Sequence, residues 1–217
     1  MKIKNVKVYG LEEAIIRSGY PHTIGEPKDL PIIYPLGKRI EYLRKEDERA
    51  YKLANTPIGS GHNNFLIGIT VQFDLCYPQY WTKHLQRYHW FQYFSGQSIM
   101  HTLTKVPKVL NQCNRWVLEQ TADKVDELIK LYNTNELIYP FYLDYRVKIE
   151  NKKDLFHAIV SNTPAGYELW QPVTTNYMQL KTMYFQRKTS HEHKLYDWKE
   201  FCDWIETLEM SNLITGK

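Results

Sequence analysis

Cysteine is scarce in this chain. Cys76, Cys113 and Cys202 are an odd number, widely spaced and without a C-x-x-C pair, so neither a disulfide framework nor a zinc ribbon is expected and a reducing compartment is the simpler setting. Long apolar runs are missing as well: no stretch of about 18 apolar residues occurs, and Met1-Lys2-Ile3-Lys4-Asn5-Val6-Lys7 has no apolar core of the signal-peptide kind. A soluble, cytoplasmic protein with no membrane span is expected. Charge of one sign does not dominate: 28 Lys+Arg against 24 Asp+Glu leave a net +4, too mild to imply nucleic-acid binding by itself but compatible with an anionic ligand.

The familiar catalytic fingerprints are also absent. There is no G-x-G-x-x-G after a strand, no P-loop and no G-x-S-x-G elbow. Ser95-Gly96-Gln97-Ser98 lacks the flanking pattern of a nucleophile elbow, and no Cys sits beside a His, so neither a serine nor a thiol nucleophile is expected. His191-Glu192-His193 suggests a metal only at first glance, because two His at i, i+2 share no helix face and have no recognisable third ligand; no metal site is expected. Any reaction would then be carried by a cofactor that the protein binds and orients.

What the chain does have is a length of 217 residues, enough for a sizeable core without staples; one domain is expected. Neither an internal repeat nor a linker divides it. Aromatic residues abound, with 17 Tyr, 6 Trp and 8 Phe, which suits an aromatic core and an oligomer interface as well as a ligand cage.

The densest mixture of patterns lies between His62 and Met100. Phe65, Ile67, Ile69, Val71, Phe73, Leu75 and Tyr77 alternate with more polar neighbours, which predicts a long strand with one buried face, closed by Pro78. Cationic, aromatic and hydroxyl groups then crowd together from Tyr80 to Trp90 and from Ser95 to Ser98. A polar site is expected there.

Elsewhere the pattern predicts a strand over residues 1–9, a helix from Leu11 to Ser18 stopped by Gly19 and Pro21, and a proline-rich loop to Pro35. A solvated helix is expected over Arg39–Ala54, after which Ile58-Gly59-Ser60-Gly61 turns toward His62, a position that suits a surface turn better than a ligand contact. Met100–Trp116 shows no clean period. Val125, Leu128, Ile129 and Tyr132 mark an amphipathic helix over Thr121–Asn133, Ile138–Leu143 and Tyr145–Ile149 are one extended segment or two short strands, and Asp154–Val160 starts a helix.

A turn at Asn162–Gly166 leads to a strand-like piece, Tyr167–Gln171, which runs through Pro172 and two Thr to Asn176, an expected N-cap. In the helix that follows, Tyr177, Leu180, Tyr184 and Arg187 fall on one line, so Arg187 prolongs an inward stripe. A guanidinium placed there needs an acid, a carbonyl or an anionic ligand. Asp197 and Glu200 read as a capping box for a last helix carrying Trp198, Phe201, Cys202, Ile205 and Leu208.

The order of these features resembles the flavin-dependent thymidylate synthases. Thr56-Pro57 and His62 precede the long strand and Pro78, and Arg87-Tyr88-His89 with a Ser-Gly turn follows where that family carries an Arg-His-Arg motif, seven residues and a Ser. A second block, Thr163-Pro164-Ala165-Gly166-Tyr167, Thr175-Asn176 and Arg187 eleven residues further on, is similar to the family's turn, strand and closing helix. Tyr88 and His89 stand where the family has His and Arg, and Gln97 stands where it has a second Arg if Ser95 is its Ser.

The resemblance implies a mixed α/β (α+β) domain over residues 1–217 with a central, largely antiparallel sheet flanked by helices, assembled as a homotetramer. It implies FAD bound beside deoxyuridine monophosphate, with NADPH and methylenetetrahydrofolate as co-substrates for C5 methylation to thymidylate. By the same resemblance His62, His89 and Asn176 touch the flavin, His84, Arg87, Ser95, Gln97 and Arg187 hold the nucleotide, and Arg87 is catalytic. Lys83, Arg115 and Arg146 are candidates to replace the missing cations. Two alternatives stay open: a catalytically silent descendant that binds a nucleotide or a partner, and a nucleic-acid-binding protein using the aromatic, basic helix after Pro78.

Overall fold

The computed structural model describes residues 1–26, 43–134, 137–189 and 194–217. In chain order these form β1 (Lys2–Tyr9), α1 (Leu11–Arg17), α2 (Leu43–Ala54), β2 (Thr70–Pro78), α3 (Thr82–Leu85), β3 (Gln92–Tyr93), α4 (Ile99–Thr102) and α5 (Glu119–Asn133). There follow β4 (Phe141–Tyr142), β5 (Lys148–Ile149), α6 (Lys152–Asn162), β6 (Glu168–Asn176), α7 (Tyr177–Tyr184), α8 (Tyr196–Ile205) and α9 (Asn212–Thr215). Short 3-10 turns join several of them. The result is a mixed α/β architecture, with a four-stranded sheet in the order β1-β2-β6-β3 and a separate β4–β5 hairpin. Strand β3 pairs antiparallel with β6, Gln92 opposite Thr174 and Tyr93 opposite Val173.

The chain divides into two compact units, one of residues 1–2, 75–85 and 95–171, the other of residues 3–74, 86–94 and 172–217. In the first, α5 and α6 bury Val125, Ile129, Leu155 and Ile159 together with Leu103, Val109 and Tyr167. Asn151 caps α6, its side chain accepting from the Lys153 and Asp154 amides, which satisfies two of the helix's unpaired donors. Residues 100–116, without a period in sequence, form α4 and two 3-10 turns that bury Leu103 and Val109.

In the second unit Ile69, just before β2, and Val71 and Phe73 on it point inward. Phe73 meets Phe91, Phe201 and Trp204, with ring centroids 6.0, 6.4 and 4.6 Å away. This strand begins at Thr70, not at Phe65 as the alternation suggests. Residues 64–68 are a 3-10 turn closed by Leu66 N–H to Asn63 O and followed by Ile69 N–H to Leu66 O, and Ile67, on the nominally inward parity, is 48% exposed. Gly10 packs against that turn. A Cβ there would lie 2.7 Å from the Gly68 carbonyl oxygen, and its φ of 73° belongs to the left-handed region that glycine tolerates.

Two helix starts show opposite outcomes. Asn176 caps α7 as its sequence position suggests, Oδ1 accepting from the Gln179 amide at 2.8 Å. Helix α8 starts one residue before Asp197, at Tyr196, with Leu195 as an N-cap that makes no side-chain cap bond. Asp197 is therefore a buried first-turn residue, and its acid acts within the turn that the helix dipole makes favourable for negative charge.

The C-terminal segment is held by charge. Glu206 accepts from Lys188 at 2.7 Å, from Lys217 at 3.0 Å and from the Tyr184 hydroxyl. These bonds, from Lys188 first and then Tyr184 and Lys217, lower its carboxyl to about 2 from an ordinary 4.5. A carboxyl with a depressed folded pKa contributes stability that is present above about 4.5 and lost as pH falls through about 2. Glu206→Gln is thus expected to lower the melting temperature at pH 7 and to leave it nearly unchanged at pH 2. Thermal melts across that range check this; a constant difference at every pH would refute it.

Candidate functional site

The Arg87-Tyr88-His89 segment sits in the second unit with an exposed–buried–exposed pattern: Arg87 and His89 face solvent while Tyr88 is 5% exposed. Three bonds tie the segment and the residue after it to the α7 region. The Trp90 amide donates to Gln179 Oε1 at 3.1 Å, the Tyr88 hydroxyl donates to Gln186 Oε1 at 3.2 Å, and Arg187 Nε donates to the Tyr88 hydroxyl oxygen at 2.7 Å. Burial, the largest cause, raises the Tyr88 phenol above its ordinary range against the opposing influence of Arg187. The phenol is neutral at physiological pH.

Arg187 stands in a π-helical turn, Phe185–Thr189, that continues α7. Its guanidinium carbon lies 4.5 Å from the Trp198 ring centroid and 5.6 Å from that of Tyr88, and the two rings meet edge-on at 5.8 Å. A guanidinium stacks well on such faces. Among the described residues no carboxylate pairs with it. The inward phase expected for Arg187 is borne out, but the half-buried cation is met by two aromatic rings and a phenol oxygen instead of an acid.

The other residues implicated by sequence in this unit are His62 and Asn176. His62 is exposed in the turn before Asn63. Asn176 is buried and its Oδ1 serves α7 as the cap. Beside each lies a buried polar atom without a hydrogen-bond partner among the described residues, Asn63 Oδ1 next to His62 and Thr175 Oγ1 next to Asn176. Unpaired buried polar atoms are costly, and both fit a polar ligand group or an ordered water.

The first unit holds His84, Ser95 and Gln97. His84 is half-buried on α3, and Ser95 is exposed with a φ of 49°. Gln97 is bound to β6 in both directions: its amide donates to the Trp170 carbonyl at 2.9 Å, and its Oε1 accepts from the Trp170 amide at 3.0 Å. Its side-chain amide extends strand pairing. Gly96 beside it is sterically required, since a Cβ would come within 1.5 Å of Gln171 Oε1. The Thr163–Tyr167 turn is gripped in this unit too, Ala165 O and Tyr167 O accepting from the Tyr80 and Gln79 amides and Gly166 O from Asn114.

Of the three cations suggested as replacements, Lys83 is exposed on α3, Arg115 lies over Trp116 at 4.8 Å, and Arg146 pairs with Asp144 at 3.7 Å. The thiols are poor nucleophiles: burial first, then nearby carboxylates, pushes Cys76 and Cys113 up to about 11, and burial pushes Cys202 up to about 12. Among the described residues no group of three metal-ligating side chains occurs; His191-Glu192-His193 lie outside them, as do residues 27–42 of the proline-rich loop and the start of the predicted second helix. No helix among the described residues is long and apolar enough to cross a membrane.

Sequence reasoning singled out Arg187 and Asn176 but overlooked Tyr88 as the partner of Arg187, Gln179 as that of Asn176, and Gln186 as the acceptor for Tyr88. The contacts between Tyr88 and the Gln186–Arg187 pair span 98 and 99 residues, and no local pattern signals a pairing of that range. Trp198 was visible only as part of a core stripe.

No family model and no curated relative matches this chain. Its fold is similar to that of solved structures. One, flavin-dependent thymidylate synthase ThyX from Helicobacter pylori complexed with FAD and dUMP, superposes with a TM-score of 0.55 at 13% identity, covering 99% of this chain and 97% of that one. A second structure of ThyX from Helicobacter pylori with FAD and dUMP gives a TM-score of 0.52 at 12% identity over the same shares. This likeness covers nearly the whole of both chains and establishes the architecture.

Proposed function

We propose that this protein binds a pyrimidine deoxynucleotide, with deoxyuridine monophosphate (dUMP) as the first candidate, and alkylates C5 of its base as a flavin-dependent, oligomeric enzyme. The observation that carries the nucleotide half is Arg187: a half-buried guanidinium in an aromatic box, with no carboxylate among the described residues to neutralise it. Such a group is a strong donor to phosphate or to a polarised pyrimidine carbonyl. Arg87, exposed next to Tyr88, adds a second cation from the same unit and is the residue to which a catalytic role is assigned.

His62, His89 and Asn176 would hold the flavin, and the unpaired Asn63 Oδ1 and Thr175 Oγ1 beside two of them support that assignment. FAD, when bound, supplies electrons, with NADPH as their source and methylenetetrahydrofolate as the carbon donor. The absence of a reactive thiol accords with this, because burial leaves all three cysteines protonated at neutral pH.

A second reading, nucleotide binding without catalysis, is favoured by Gln97, whose amide is spent on the Trp170 backbone where a cation would contact a ligand. A visible absorption spectrum and calorimetric titration with dUMP separate the two. Flavin absorbance in the purified or FAD-reconstituted protein together with dUMP binding supports the enzyme, whereas dUMP binding by a protein that takes up no flavin supports the silent reading. Failure to bind dUMP refutes both.

A further inference from the structure

The position that follows Arg87 is occupied by a residue whose contacts give it a defined task. Tyr88 is nearly fully buried, and its hydroxyl is used twice, as donor to Gln186 Oε1 and as acceptor from Arg187 Nε. Gln186 and Arg187 are consecutive residues of a π-helical turn, a local distortion that often marks functional sites. Trp198, buried on α8, supplies the second ring against the guanidinium. One nitrogen of Arg187 is therefore engaged, two of its flanks are occupied by rings, and Nη1 and Nη2 have no protein partner among the described residues.

The chemistry of the acceptor matters. A carboxylate in this place would orient the guanidinium equally well but would neutralise it, and a buried ion pair has little charge left for a third party. A neutral phenol oxygen orients the same fork and leaves its charge intact. Burial keeps the phenol protonated, which preserves the relay from Arg187 through Tyr88 to Gln186.

We infer that Tyr88 is a positioning residue for Arg187: its hydroxyl fixes Nε so that the two terminal amino groups of the guanidinium, which no described carboxylate meets, are presented to an anionic ligand. This rests on the nucleotide reading given above and deepens it, since it names the group that sets the geometry of the anion contact. Arranging a donor in advance reduces the ordering cost of binding, so the hydroxyl acts on affinity through Arg187 and not through the ligand.

The test is a double-mutant cycle on the full chain with dUMP as the probe, read by calorimetry. Tyr88→Phe keeps the ring and removes the hydroxyl; it is expected to weaken dUMP binding about 5- to 10-fold in the wild-type background. In an Arg187→Ala background the same change is expected to have no further effect. An undiminished affinity of Tyr88→Phe, or an equal loss in both backgrounds, overturns the inference while leaving nucleotide binding by the wild type established. Wild-type protein that binds no dUMP refutes the functional reading and this role with it.

A ligand-independent measurement guards against a merely destabilised variant. In a 15N spectrum the Arg187 Nε–H is expected to be protected from solvent exchange in the wild type, and unprotected in a folded Tyr88→Phe variant. Rapid exchange of that proton in the wild type would refute the proposed bond directly.

Discussion

Replacing Arg187 with alanine is expected to weaken dUMP binding by at least tenfold. Hydrogen bonds to a charged group contribute about 1.5–3 kcal/mol each, and every 1.4 kcal/mol is about a factor of ten in affinity; loss of one such bond lies at the lower end and loss of a bidentate contact well beyond it. The effect on folding should be smaller, because Arg187 is only half-buried and its Nε bond is to a neutral phenol. Calorimetric titration of both proteins with dUMP measures the difference. Equal affinities would remove Arg187 from the site and, with it, the observation on which the nucleotide reading stands.

The largest effect on stability is expected at Phe201. This side chain is fully buried on α8 and touches four aromatic rings of its unit: Phe73 at 6.4 Å, Phe91 at 5.9 Å, Trp198 at 6.1 Å and Trp204 at 5.2 Å. Truncating a core phenylalanine removes its transfer free energy and leaves a cavity that rigid neighbours do not fill, at a cost of about 3–5 kcal/mol. Phe201→Ala should therefore shift the urea midpoint strongly. Ile24→Ala, at a side chain 99% exposed, should change stability by no more than about 0.5 kcal/mol. A loss below about 1 kcal/mol at Phe201 would show that the aromatic cluster is not the core of this unit.

The two effects are physically linked through Trp198. Its ring meets Phe201 on one side and Arg187 and Tyr88 on another, so the same aromatic layer that stabilises the second unit forms a wall of the candidate anion site. Phe201→Ala is expected to weaken dUMP binding only indirectly, whereas Arg187→Ala acts on it directly. Measuring both quantities on both variants separates them.

Periodicity served well where a segment's own neighbours decide its structure. The stripe of Val125, Leu128, Ile129 and Tyr132 located α5 to within two residues, and Asn176 is the cap that a side-chain acceptor before a helix should be. The same reasoning overran at Phe65, where alternation persists but Asn63, Leu66 and Ile69 close a 3-10 turn, and at Asp197, which resembles a cap yet lies inside the helix. In the first case packing against a distant residue, Gly10 against Gly68, overrides a local pattern that suits either conformation; in the second the helix starts one residue earlier, at Tyr196.

For the site the division is sharper. Sequence alone determined that three isolated cysteines offer no nucleophile motif and that Arg187 falls on an inward-facing line, both matters of residue identity and spacing along the chain; the mixed α/β fold was implied by the resemblance that the two motif blocks carry. Tertiary structure alone decided what Arg187 meets. That its partners among the described residues are a neutral phenol and an indole, not an acid, depends on bringing residues 88, 187 and 198 together. A contact between residues about a hundred positions apart follows from how the whole chain packs, and no periodicity within either segment encodes it.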